Sequence, residues 1–272
     1  MSVGRVANAA APATGDAAAG RRDRGDPRPV TRRAARVAAS RVRVGRMHVV
    51  IAGGHGQIAL RLTENLAAEG HSVTGLIRNP DHAEDLTAIG GRPIVLDLEQ
   101  ADAEHLGGLL ASDMHGEVDA VVFAAGAGPG SGAARKDTVD RAASALLADA
   151  AERAGVRRFL QISSMGVDKE PDPDRDEVWA AYIAAKAAAE EDLRGRDLDW
   201  VIVRPGALVN DPPTGSVHLA EPPVDRGEVT RSDVAAVLAE LLRNPGVSRR
   251  VLELRGGDTP VKDAVAALAS GG

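Results

Sequence analysis

Residues 47–59 read MHVVIAGGHGQIA, an apolar strand that runs into a glycine turn and then a helix. The turn has the spacing G-x-x-G-x-x-A through Gly53, Gly56 and Ala59. Gly53 allows a tight exit from the strand where a Cβ has no room. Gly56 lets the helix N-terminus approach a pyrophosphate, whose charge is favoured by unpaired N–H groups and the helix dipole. Ala59 is small enough for helix and strand to pack closely. A lone glycine turn is weak evidence, and the plain alternative is an ordinary strand-to-helix connection. Its neighbours decide between the two.

Downstream, strand-like and helix-like segments alternate. Ile58, Leu62, Leu66 and Ala67 share one helical face over 58–69. Strands are expected at 72–77, 93–96, 118–124, 158–163 and 198–203. Helices are expected from Pro80 to about 90 and over 101–111, 137–154 and 177–194. The wholly apolar 118–124 has the pattern of a strand buried on both faces. Such alternation demands right-handed crossovers, so the expected fold is an α/β Rossmann-like doubly wound parallel sheet with helices on both faces. Beyond Arg204-Pro205-Gly206 the chain turns rich in Pro, Gly and Asp. Residues 207–228, with a short strand at 217–221, are expected to form a small C-terminal cap on the substrate side. A helix at 232–242, a strand at 251–255 and a helix at 261–268 complete the domain, which spans 47–272.

Charge divides the chain. The first 46 residues carry eleven Arg against three Asp, leaving 22 basic and 36 acidic residues for the rest. The first part is expected to be a basic, Ala- and Arg-rich disordered tail, with Met47 a plausible true start. Basic arms of this kind also suit anionic partners or targeting. The acidic core argues against nucleic acid as its partner. No apolar run is long enough to span a membrane. With no Cys, thiolate chemistry is excluded, and the seven His (48, 55, 71, 82, 105, 115, 218) show no ligand spacing, so no metal is expected. The acidic stretch 168–177, DKEPDPDRDE, lacks a calcium-loop glycine and reads as a solvated loop. The expected protein is cytoplasmic, a monomer or homodimer acting on an unidentified small molecule.

The end of the second strand sets the cofactor. It reads TGLIRNP over 74–80, with no carboxylate before Asp81. Arg78 suits a 2′-phosphate, which favours NADP(H), with NAD(H) the alternative; a solvent-facing Arg78 is the plain reading. Asp97 and Leu98 follow the third strand where a loop meets adenine. Ala124, Ala125 and Gly126 follow the fourth and leave room for the cofactor.

Tyr182 and Lys186 stand four apart on one helix face. An ammonium nearby stabilises a phenolate, so the phenol can give a proton to a developing alkoxide. Lys186 can also hold ribose hydroxyls. Ser164 ends the fifth strand, where open α/β sheets place ligands, and Ser163 competes with it. Such a pair also arises by chance in surface helices. Against that, Tyr182 is the only tyrosine, and Lys186 is one of four lysines in an Arg-dominated chain.

The motifs IAGGHGQIA (51–59), LIRNP (76–80), LDL (96–98), VVFAAG (121–126), GVRRFLQISSMG (155–166), YIAAK (182–186), LDWVIVRPGAL (198–208) and GEVTRSDVAAVLAELL (227–242) occur in order. On them the chain resembles the short-chain dehydrogenase/reductase superfamily. It is similar in particular to atypical single-domain NAD(P)-binding members, NmrA-like and flavin-reductase-like, often loosely described as sugar epimerases. The resemblance implies a cofactor site of Gly53, Gly54, His55, Gly56, Gln57 and Ile58 at the turn, then Arg78, Asp97 and Leu98. Ala124, Ala125, Gly126 and Lys186 follow along the ribose, and Pro205, Gly206 and Ala207 at the nicotinamide. It also implies Ser164, Tyr182 and Lys186 as the catalytic group. The chain departs from the pattern at Ala124-Ala125-Gly126, which lacks an asparagine common in conventional reductases, and in its short Ser164–Tyr182 spacing. The cap is too small for a nucleotide-sugar domain. The expected function is therefore NADPH-dependent hydride transfer to a small carbonyl, quinone or flavin-like acceptor. A non-catalytic NADP(H)-binding regulator or redox sensor is the alternative, ahead of a sugar epimerase or dehydratase.

Overall fold

The computed structural model describes residues 45–111, 117–128, 131–169 and 177–270. The expected basic tail, apart from 45–46, and the acidic 170–176 lie outside them. Five parallel strands form the first part: β1 (His48–Ala52), β2 (Ser72–Ile77), β3 (Arg92–Val95), β4 (Ala120–Phe123) and β5 (Arg158–Ile162). Between them run the helices α1 (Gln57–Ala68), α2 (Ala83–Ala88), α3 (Ala103–Ala111) and α4 (Ala143–Ala154). The second part contains α5 (Glu177–Arg194), β6 (Asp199–Pro205), β7 (Ala207–Val209), β8 (Ser216–Ala220) and β9 (Glu228–Thr230). It closes with α6 (Arg231–Arg243), β10 (Arg250–Gly256), β11 (Thr259–Pro260) and α7 (Val261–Ser270).

Among the described residues nine strands pair in the order β11-β8-β10-β6-β5-β4-β1-β2-β3. From β3 to β10 every pairing is parallel, while β8 runs antiparallel to β10 and to β11. The chain steps outward from β1 through β2 to β3, then returns to β4 on the other side of β1. That reversal opens a crevice at the carboxyl ends of β1 and β4, where ligands of such sheets sit.

Side-chain alternation along the strands builds two cores. Val49 and Ile51 face a cluster that includes Leu62, Leu66, Val234 and Leu238 of α1 and α6. Val50 and Ala52 face the opposite cluster with Leu106, Leu110, Leu147 and Leu193 of α3, α4 and α5. The sheet is thus covered on both faces, as its continuous apolar strands require.

The structure departs from the sequence expectations in four places. The helix expected from Pro80 breaks into a 3₁₀ turn, Pro80–His82, followed by α2. The helix expected to begin at 137 begins at Ala133 and is π-helical over Lys136–Ala142. Strand β6 extends through Pro205 rather than stopping at 203. Strands β7, β9 and β11 were not expected; β7 and β9 pair in parallel as a separate two-stranded sheet. They are too short to show a period of two, and Gly and Pro surround them.

Candidate functional site

Two cavities open along the carboxyl edge of the sheet. The first, about 330 Å³, lies over the crevice at β1 and β4. Of the expected cofactor residues, Gly53, His55, Gly56, Arg78, Asp97, Leu98, Ala124, Ala125 and Gly126 line it together. Gly54, Gln57 and Ile58 do not. Gly54 instead braces the turn against β2: its N–H donates to the Leu76 carbonyl at 2.9 Å, and a Cβ there would lie 2.7 Å from Gly75 Cα. Ile58 packs into the core.

The turn suits a pyrophosphate. Gly53 has φ +78°, and a Cβ on it would lie 2.6 Å from the Ala125 Cα. Any other residue would therefore close the approach between turn and β4 as well as strain the backbone. Gly56 is the N-cap of α1 and gives no side-chain cap to the helix. The first-turn N–H groups thus lack a side-chain acceptor, the arrangement that binds an anion. His55 stacks on His82 with centroids 3.6 Å apart, and its Nε2 lies 2.7 Å from Asp85 Oδ2.

At the far end of this cavity Arg78 and Arg135 converge on Glu99. Arg135 donates to Glu99 Oε2 at 2.6 Å, Thr138 to Oε1 at 2.7 Å, and Arg78 reaches Oε2 only at 3.4 Å. The hydrogen bonds from Arg135 and Thr138 hold the Glu99 carboxyl below the usual carboxylate range, and Glu99 in turn raises the Arg135 guanidinium. Arg78 is the loosest member, with its side chain 57% exposed. Sequence reading missed Glu99 and Arg135, which only the fold brings beside Arg78.

The second cavity, about 540 Å³, is lined by Ser164, Tyr182, Pro205, Gly206 and Ala207, together with Met165, Trp179 and Ile183. The structure therefore brings Ser164 and Tyr182 to one cavity. Ser163, the competing serine, is buried and donates to Glu190 Oε1 at 2.6 Å. A Cβ on Gly206 would lie 2.1 Å from the Gly227 carbonyl oxygen, so glycine is required where β7 meets the segment before β9.

Lys186 does not line either cavity. It is buried, its Nζ 3.2 Å from Asp140 Oδ1 and donating to the Ile162 carbonyl at 3.1 Å. A second lysine, Lys136, donates to the Gly128 carbonyl at 3.0 Å. The two ammonium groups stand 5.9 Å and 5.4 Å from the Tyr182 ring centroid. The π-helical turn carries both Lys136 and Asp140, and such turns are frequent at functional sites. Asp140 Oδ2 also accepts from the Ala127 N–H at 3.2 Å, next to Gly126 of the first cavity. One buried carboxylate therefore links the loop after β4 to the lysine beneath Tyr182. Among the described residues no three His, Asp or Glu side chains converge as a metal site. None of the described helices is long and apolar enough to cross a membrane.

A glycine turn at the reversal of a doubly wound parallel sheet, with an anion-ready helix end, defines a Rossmann-fold NAD(P)-binding protein of the oxidoreductase and epimerase superfamily. The chain belongs to the NAD(P)H-binding family, whose model matches residues 53–245. It is 31% identical over 223 residues to the uncharacterized sugar epimerase YhfK of Bacillus subtilis, covering 82% of this chain and 100% of that one. It is also similar to the solved structure of a putative NAD-dependent epimerase/dehydratase from Bacillus halodurans. That structure has 31% identity, a TM-score of 0.72, and coverage of 81% of this chain and 99% of its own. ChuY, an anaerobilin reductase from Escherichia coli O157:H7, superposes with a TM-score of 0.63 at 25% identity, over 78% of this chain and 98% of that one.

Proposed function

We propose that the protein is an NADPH-dependent oxidoreductase that reduces a small carbonyl, quinone or flavin-like acceptor in the second cavity. The observation that carries this reading is the shared cavity of Ser164 and Tyr182, at the same sheet edge as the dinucleotide crevice. The glycine turn, packed against Ala125 and leading into a helix start with no side-chain cap, fits the pyrophosphate of the cofactor. Arg78 and Arg135 give its adenosine end a basic setting that suits a 2′-phosphate.

NADPH, when bound, supplies a hydride, two electrons and one hydrogen, and leaves as NADP⁺. Tyr182 donates its phenolic proton to the acceptor oxygen as negative charge develops there, and solvent returns that proton afterwards. Ser164 donates a hydrogen bond to the same oxygen. Lys136 and Lys186, flanking the phenol ring, stabilise the phenolate left behind. Lys186 acts from below, held by Asp140 and the Ile162 carbonyl, and is a positioning residue rather than a ribose ligand.

That burial of Lys186 also favours a second reading, in which the site binds NADP(H) as a signal without chemistry. The epimerase names of the Bacillus relatives supply a third. Following NADPH absorbance against a panel of aldehydes, ketones, quinones and flavins separates these readings. Tyr182→Phe is expected to lower carbonyl turnover by about 100-fold while leaving the NADPH dissociation constant unchanged; unchanged turnover rejects the proton-donor role.

A further inference from the structure

We infer that the second cavity selects an organic anion, an acceptor with a carboxylate on a flat apolar body. The inference rests on the oxidoreductase reading for the word acceptor, but not for the charge. Three cations line this cavity, Lys169, Arg226 and Arg231, and no carboxylate does so among the described residues. This stands out in a chain whose net charge is −6. It also stands out against arginines elsewhere: Arg157, Arg196 and Arg204 each sit on carboxylates.

Among the described residues Arg231 has neutral acceptors, donating to the Leu208 carbonyl at 3.2 Å and to Asn210 Oδ1 at 3.0 Å. These bonds orient its guanidinium without cancelling its charge. Arg226 is exposed and has no ion-pair partner among the described residues, and its Nη2 lies over the Gly166 turn beside Ser164. A planar fork that is uncompensated and faces a cavity is suited to bidentate capture of a carboxylate.

The remaining wall supplies the apolar half. Trp179 and Tyr182 pack with ring centroids 5.4 Å apart, and Leu208 is partly exposed beside them. Trp179 is one of two tryptophans and Tyr182 the only tyrosine in 272 residues. A chain this poor in aromatics has placed two at one cavity, whose aromatic and aliphatic surface suits a flat conjugated ligand. Cations and rings in one cavity suit the charged and the flat apolar halves of such a ligand, in the cavity that also holds Ser164 and Tyr182.

The test uses the full chain saturated with NADP⁺ and a matched pair of probes, 2-naphthoate and the neutral 2-naphthamide, titrated by calorimetry. The carboxylate is expected to bind about tenfold more tightly, the scale of one charge-assisted hydrogen bond. That preference should fall toward unity in Arg226→Gln and in Arg226→Gln/Arg231→Gln, and should shrink with added salt in the unaltered protein. The salt series keeps the idea open to refutation if the double variant misfolds. Equal affinities, no binding of either probe, or tighter binding of UDP-glucose than of naphthoate each overturns it. A parallel assay compares reduction of 4-formylbenzoate with that of its methyl ester. Selective naphthoate binding without NADPH oxidation leaves the anion site standing and removes the oxidoreductase reading; equal turnover of acid and ester does the reverse.

Discussion

The two cavities are made of different material. The crevice at β1 and β4 is main chain where the pyrophosphate is expected, with a glycine turn, a bare helix end and the small residues Ala124, Ala125 and Gly126, and side chains such as Arg78, Asp97 and Glu99 line the rest. The cavity around Tyr182 is walled by side chains from four separated segments, at 164–169, 179–183, 205–208 and 226–231. Main-chain recognition suits a ligand that never changes, because a backbone cradle cannot be retuned by substitution without losing the turn. Side-chain recognition suits one that varies. Asp140 joins the two, bonded to Ala127 on one side and Lys186 on the other.

Cutting that joint should give the largest effect. Asp140→Ala leaves the Lys186 ammonium buried without its counter-charge, and the expected loss of stability is about 3 kcal/mol, read by denaturant titration. A variant as stable as the parent would show that the pair does not tie the regions together. Gly53→Val attacks the backbone cradle alone. The strain of a positive φ and the clash with Ala125 should weaken NADPH binding by about 100-fold, measured by fluorescence titration, with the second cavity intact. Arg78→Ala touches the side-chain part of the first cavity and should reduce the NADPH-over-NADH preference by about tenfold; equal affinities in the parent chain would sink the cofactor assignment.

Glu99→Gln should give the smallest change. Removing a carboxylate that competes for Arg78 and Arg135 should tighten NADPH binding by roughly threefold, with NADH hardly affected. Its pH signature has a definite sign. Because the Glu99 carboxyl is held below its usual range, the stability that its charge contributes is present above about pH 4.3, the ordinary glutamate value. It is lost as pH falls through the depressed native value. Parent and variant melting temperatures should therefore converge in acid.

The same contrast explains what could be read from the sequence. The strands, the turn at Gly53 and Gly56, and the position of Arg78 are local consequences of short segments, and the helix expected over 177–194 ends at Arg194. Ser164 and Tyr182 were recognisable as residue types at the ends and faces of elements. Lys136, Asp140, Arg226 and Arg231 were not, because each acquires its meaning from the surroundings that the fold gives it. One signal was available for Lys136: in an Arg-dominated chain each lysine stands out, and the scarcity that drew attention to Lys186 applied equally to it. No pattern in KDTVDRA announces a π-helix. The strands β7, β9 and β11 escaped because three residues or fewer carry no periodicity.

The close meeting of Gly206 with the Gly227 carbonyl, sealed by the parallel pairing of β7 with β9, bears on how such a protein can diverge. It fastens Arg226 and Arg231 to the exit of β6 through main-chain contacts that are indifferent to which side chains stand nearby. Ligand preference in a lineage built this way can drift by exchanging residues along two three-residue strands and the helix start after them. The inherited half of the molecule need not record the change, so relatives sharing every glycine of the turn have no reason to share a substrate.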